Sequence, residues 1–247
     1  MALVRLSQTL CAIGLICAAT SALAQAPAQE APKNLKVLPK DWTRAQVVAV
    51  MQNINAALGV GCDYCHVVTQ GQPPDFASDD KDTKLSARAM MKVTQGVNAS
   101  LSTEFGIPAA ELTRIQCITC HRGVPVPKQI GEILAATSAE KGFDAARAQY
   151  TELKGKFYGA QAYDFSESGL IATAQPLVPA RADEAIRFLQ MNLELFPRSA
   201  RTYVALAGAQ QAKNDKAGAI ASLEKALEIE PNNAAAKRTL DQLRAQR

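Results

Sequence analysis

Cys62-Asp63-Tyr64-Cys65-His66 and Cys117-Ile118-Thr119-Cys120-His121 are the two stretches that decide how this 247-residue sequence is read. They use both histidines of the chain and four of its six cysteines, leaving only Cys11 and Cys17 in an N-terminal apolar stretch. Two cysteines three positions apart reach the two vinyl groups on one porphyrin edge, and the adjacent histidine then carries an imidazole beneath the iron. The double motif predicts two covalently bound c-type haems, with Cys62, Cys65, Cys117 and Cys120 as attachment points and His66 and His121 as proximal iron ligands. A two-knuckle zinc site would separate its cysteine pairs by about 12 to 20 residues, whereas about fifty lie between these motifs. A dithiol redox pair has no need of a histidine directly after it.

The N-terminus agrees with that chemistry. Residues 1–24 hold one charge, Arg5, then the apolar run Leu10 to Ala19, then Ala22-Leu23-Ala24, the small-x-small form of a signal-peptidase site. Cleavage after Ala24 is expected to remove Cys11 and Cys17 and deliver a periplasmic chain beginning at Gln25. The apolar run is shorter than the ~20 residues of a spanning helix, and Ile16 rather than a small residue precedes Cys17, so membrane association is expected only through a partner. The formal charge of +4 loses Arg5 and becomes +3, which gives no field that would attract nucleic acid. The acidic stretch Asp75 to Asp82 lacks the regular ligand spacing of a calcium loop and reads as a solvated connection.

With both histidines committed, the ligand on the other face of each iron must be methionine, a less common group, or an open site. Met51, Met90, Met91 and Met191 survive signal removal. Thr43-Arg44-Ala45-Gln46 forms a capping box and Gly59 a stop, so a helix is predicted between them, with Val47, Met51, Ile54 and Leu58 on one stripe. The turn Gly59-Val60-Gly61 then brings the chain back to Cys62, and Met51 is the candidate distal ligand of the first haem. A second helix is predicted from about Lys84 to Leu101. On it Met90 shares a face with Val93, Val97 and Leu101, while Met91 shares its side with Gln95 and Asn98. Met90 is preferred for the second haem, with Met91 as the alternative, since neighbouring residues differ by only about 100° around a helix. Arg88 and Arg122 are candidate propionate partners, or else ordinary surface arginines.

Val124-Pro125-Val126-Pro127 ends the haem region. Beyond it Ala185-Ile186 recurs as Ala219-Ile220, Leu189 as Leu223, Leu193 as Leu227, Leu195 as Ile229 and Pro197 as Pro231, all 34 residues apart. That is the tetratricopeptide period, whose helix pairs stack and offer a concave docking surface for protein partners. The expected organisation is a signal peptide at 1–24, a dihaem domain at 25–131, a helical connector at 132–163, and repeats over 164–247. The repeats divide at about 164–197 and 198–231, with a capping helix after them, and the fold class is all-α throughout.

The stretch from about Pro39 to Pro127 resembles the haem-binding repeats of the cytochrome subunit of photosynthetic reaction centres, in which a methionine-bearing helix and a turn precede each Cys-x-x-Cys-His. The matching residues are Met51, Leu58-Gly59-Val60-Gly61-Cys62, Asp79-Asp80-Lys81, Ala87-Arg88-Ala89-Met90, and Cys117 through Gly123. The resemblance implies Met51 and Met90 as distal ligands. This chain departs from that family in having two haem motifs rather than four, in lacking the extra histidine that serves many members as a distal ligand, and in a longer segment before Cys117, with Phe105 to Glu111 as extra loop. The implied role is one-electron transfer between redox protein partners, such as a photosynthetic reaction centre or a respiratory complex, with no substrate transformed. The rival readings are a dihaem peroxidase or oxidase, which would lack a free histidine for acid–base work, and a haem-containing sensor that docks through its repeats.

Overall fold

Thr43 opens the first helix, α1 (Arg44–Leu58), by accepting a hydrogen bond from the Gln46 backbone, while the Gln46 side chain accepts from the Thr43 backbone. Gly59, at φ +67°, closes it and donates its N–H to the Asn55 carbonyl. The structure, a computed structural model, describes residues 30–245, so the expected signal peptide and its cleavage site lie outside the described residues. Among those residues the protein is all-α, and its one β-type contact is an isolated bridge between Val67 and Asp75.

The long second helix, α2 (Asp82–Phe105), begins two residues earlier and ends four later than its periodicity suggested, so the expected extra loop starts only at Gly106. A short turn at Ala109–Glu111 leads to α3 (Cys117–His121), which is the second motif itself. α3 packs on α1. The apolar cluster of this N-terminal part is small: Ile54, Ala57 and Leu58 are buried, with Val50, Met51, Val60, Met91 and Cys117 against them.

The C-terminal part is packed differently. α4 (Ile130–Lys141) and α5 (Phe143–Phe157) form an antiparallel pair that joins α6 (Glu167–Ala174) and α7 (Ala182–Leu195) in one core around Leu134, Tyr150, Leu170, Phe188 and Leu189. The stretch expected as a connector is therefore a helix pair inside this core. α8 (Ala200–Ala212), α9 (Lys216–Ile229) and α10 (Ala234–Ala245) continue the stack around Ala219, Leu223 and Leu240.

The 34-residue period is realised in the helices. α7 and α9 are offset by 34 residues at both ends, and α8 and α10 at their starts. Equivalent positions bear equivalent burial: Ala185 and Ala219 are both at 0% exposure, and Leu189 and Leu223 both at 1%. A small residue at the helix crossing and a leucine one turn on let successive pairs approach and interlock.

Candidate functional site

The first motif folds as a tight turn over Cys62–Tyr64, in which His66 N–H donates to the Cys62 carbonyl at 3.0 Å. One helical turn thus gathers Cys62, Cys65 and His66. The start of α2 clamps it, because the Lys81 ammonium donates to the Asp63 carbonyl and the Thr83 hydroxyl to the Tyr64 carbonyl. Behind His66 stands the Phe76 ring, edge-on at 5.1 Å.

Phe76 is held there by the Asp75 to Asp82 stretch, which is the solvent-facing connection expected from the sequence but is ordered by side-chain hydrogen bonds. Asp75 N–H donates to the Val67 carbonyl, and its carboxylate accepts from the Ala77 and Ser78 N–H groups. Lys84, only 7% exposed, sends its ammonium into the loop and donates to the carbonyls of Phe76 (3.0 Å), Ala77 (3.1 Å) and Ser78. Asp79 lies 3.3 Å from that ammonium and also receives Lys36, Asn34 and Arg88. These donors, Lys36 foremost, hold its carboxyl well below the usual carboxylate range. A buried ammonium is tolerable only with such a set of acceptors.

Burial, and then the positive charges of Lys84, Arg88 and Lys81, push the His66 imidazole below its ordinary pKa. A neutral ring is the form that ligates a metal. The Phe76 backbone is close enough to act in the opposite sense, yet the buried His66 Nδ1 makes no hydrogen bond.

The second motif is a regular turn of helix, ended by Arg122 at φ +49° and Gly123 at φ +88°. α2 positions it through Asn98, whose side chain donates to the Ile115 carbonyl and accepts from the Ile115 N–H, both at 2.8 Å. Gly123 N–H donates to the Ala57 carbonyl at 2.9 Å, tying the motif to α1. His121 Nδ1 lies 2.9 Å from the Val124 carbonyl, and Val124 is buried. That contact orients the ring and leaves the other nitrogen free for a metal.

The methionines separate. Met51 and Met91 both pack on the α1 cluster, as does Cys117, whereas Met90 is 50% exposed and continues into Val93 and Val97, also exposed. The apolar face predicted on α2 thus exists but is not covered by protein. The side carrying Met91 and Asn98 is the one turned toward α1 and the second motif. Arg88 is engaged with Asp79 and the Asn34 carbonyl, and Arg122 donates to the Gln161 carbonyl beside an open cleft of about 700 Å³ that Cys120 also lines. Met191 fills the core of the helical stack.

The arrangement fits haem. All four motif cysteines are free thiols, and no group of three or more His, Cys, Asp or Glu side chains converges among the described residues as a zinc site would require. Among the described residues, eleven of the thirteen exposed large apolar side chains fall between Val48 and Val126, around the two motifs. Apolar faces beside a thin core are what flat apolar macrocycles would cover.

Residues 12–187 match the family model described as the photosynthetic reaction centre cytochrome C subunit. The chain belongs to that family. It is 38% identical over 82 residues to cytochrome c-554 of Chloroflexus aurantiacus, covering 33% of this chain and 18% of that protein. It is 36% identical over 103 residues to the photosynthetic reaction center cytochrome c subunit of Thermochromatium tepidum, covering 41% of this chain and 23% of the relative. With the Rubrivivax gelatinosus subunit it shares 35% identity over 102 residues, 40% of this chain and 24% of the other. The chain therefore spans less than a quarter of the length of these relatives. Membership of the reaction-centre cytochrome family implies covalently bound c-type haem, and the matched range runs on through α4–α6 into α7.

Sequence reasoning missed Lys84, Phe76 and Asn98. The one available signal was a lysine two residues into a helix that follows an acidic, proline-led loop; the partners of Phe76 and Asn98 depend on chain segments 10 and 17 residues away.

Proposed function

We propose that this protein is a periplasmic dihaem c-type cytochrome that passes single electrons between protein partners. The observation that carries this reading is the presence of two separate Cys-x-x-Cys-His turns, each with its own imidazole, in a module whose apolar faces lack protein cover. Bound haem supplies an iron that changes between ferric and ferrous states. The chain's own residues do the rest. Cys62 and Cys65, and Cys117 and Cys120, fix the two attachment edges. His66 and His121 would ligate the irons, with His121 held in orientation by the Val124 carbonyl. Met51 serves the first site and Met90 the second, with Met91 as the alternative; thioether ligation favours the reduced state and suits a carrier. Both histidines are thereby used, and none is left for the acid–base step of a peroxidase.

The 34-residue helix pairs of α6–α9, capped by α10, are read as tetratricopeptide units that dock a partner. The partner is a redox protein of the class to which reaction centres and respiratory complexes belong. Export by a signal peptide cleaved after Ala24 would place this chain in the periplasm, where it would meet that partner.

The test is optical. The ferric protein should show the methionine-to-iron charge-transfer band, and the ferrous protein should not bind carbon monoxide. Absence of the band, or rapid carbon monoxide binding at both irons, would replace the carrier with a ligand-binding or oxidase-type protein.

A further inference from the structure

The two proximal histidines differ in what stands behind them. His121 Nδ1 has the Val124 carbonyl at 2.9 Å. His66 Nδ1 is buried and makes no hydrogen bond, and the carbonyl of Phe76, whose backbone stands beside it, accepts from the Lys84 ammonium at 3.0 Å. Lys81 and Arg88 are the other cations acting on His66. Of the facing carboxylates, Asp75 is turned to its own loop N–H groups and Asp79 is shared among Lys36, Lys84 and Arg88.

Both differences act in one direction. A carbonyl that accepts from Nδ1 makes the imidazole more basic and so favours ferric iron. An imidazole without that acceptor, beside a water-poor positive charge, favours ferrous iron. From this asymmetry we propose that Lys84 is a positioning residue that makes the first haem site the higher-potential of the two, by drawing the Phe76 carbonyl into its own hydrogen bond, so that His66 Nδ1 makes none, and by keeping a buried charge on that side. The second site, with its Val124 contact, is the lower. At equilibrium an electron entering the protein therefore rests at Cys62–His66, and the oxidising partner draws from that end. This inference depends on both motifs holding haem.

The experiment uses the complete holoprotein. A haem count of two per chain is established first; a lower count refutes the dihaem reading and this assignment with it. Potentiometric titration, with the haems assigned by paramagnetic NMR, should then give two one-electron steps, the upper one on the haem of Cys62 and Cys65. Lys84→Met should shift that step downward by at least tenfold in its reduction equilibrium, ~59 mV for one electron, and leave the lower step in place. Lys84→Arg, which keeps the charge, should restore most of the shift. A reversed order of the two haems in the unmutated protein, a shift of the lower step, or no shift would each overturn the proposal. If Lys84→Met fails to load both haems, the unmutated protein still decides: the imidazole N–H resonance of His121 should carry a hydrogen-bond shift that His66 lacks, and equal shifts would refute it.

Discussion

A Cβ added to Gly59 would stand 2.3 Å from the carbonyl oxygen of Gly123. The turn that ends α1 and the turn that ends the second motif therefore touch through backbone alone, reinforced by the Gly123 N–H bond to Ala57. Sixty-odd residues of chain separate the two turns, so this contact locks the helix bearing Met51 to the motif bearing His121.

Gly59→Ala should accordingly damage both ends of that lock. The positive φ alone costs about 1–2 kcal/mol, and the backbone collision adds to it. Thermal unfolding should be lowered by several degrees, with reduced haem attachment at Cys117 and Cys120. Gly208→Ala, in the middle of α8 with open space at its Cβ position, should instead stabilise by roughly 0.5–1 kcal/mol. Equal effects of the two changes would show that the Gly59–Gly123 contact is unimportant.

Met51, Met90 and Met91 make a second test. Met51→Leu and Met90→Leu should each lower the potential of a different haem and each remove part of the methionine–iron band. Met91→Leu should keep both bands and cost less than about 1.5 kcal/mol, as a volume-conserving change in a packed site. Loss of a band in Met91→Leu, with Met90→Leu silent, would transfer the second ligand to the residue that packs toward α1.

Haem removal should divide the molecule. Among the described residues, the N-terminal part has a buried apolar cluster of just Ile54, Ala57 and Leu58, too little to offset the conformational entropy of its chain. Protein made without haem should exchange amide hydrogens rapidly across residues 44–121 and slowly across the helix interiors of 130–229. Strong protection in α1 and α2 without haem would contradict this.

Acid should act through Asp79. Its carboxyl is held below the ordinary range, first by Lys36 and then by Asn34. A depressed value means that the stabilisation is complete above the unfolded value of about 3.9, and is lost as pH falls below that toward the folded value. Asp79→Asn should lower the unfolding temperature at neutral pH and flatten its decline between about pH 4 and 2. Parallel acid profiles for the two proteins would refute it.

Much of this was legible in the sequence, and the limits have physical causes. The bounds of α1 follow from Thr43, Gln46 and Gly59 because capping is local. The 34-residue equivalences, Ala185 with Ala219 and Leu189 with Leu223, hold because each repeat sees the same neighbour. Periodicity could find the Met90 face on α2 but not its partner, since the Asn98 clamp on Ile115 and the α1 cluster decide which side turns inward. The Lys84 loop was invisible because a charged residue buried by backbone carbonyls has no hydropathy signature. The helix pair α4–α5 escaped notice as part of the stack because it lacks the 34-residue spacing while sharing its core.

Two covalent haems on one exported chain would be read at once from the intact mass of the native protein. The expected mass is that of a chain beginning at Gln25 plus two haem groups that survive denaturation. A mass with one haem, with none, or with haem lost on denaturation would contradict it.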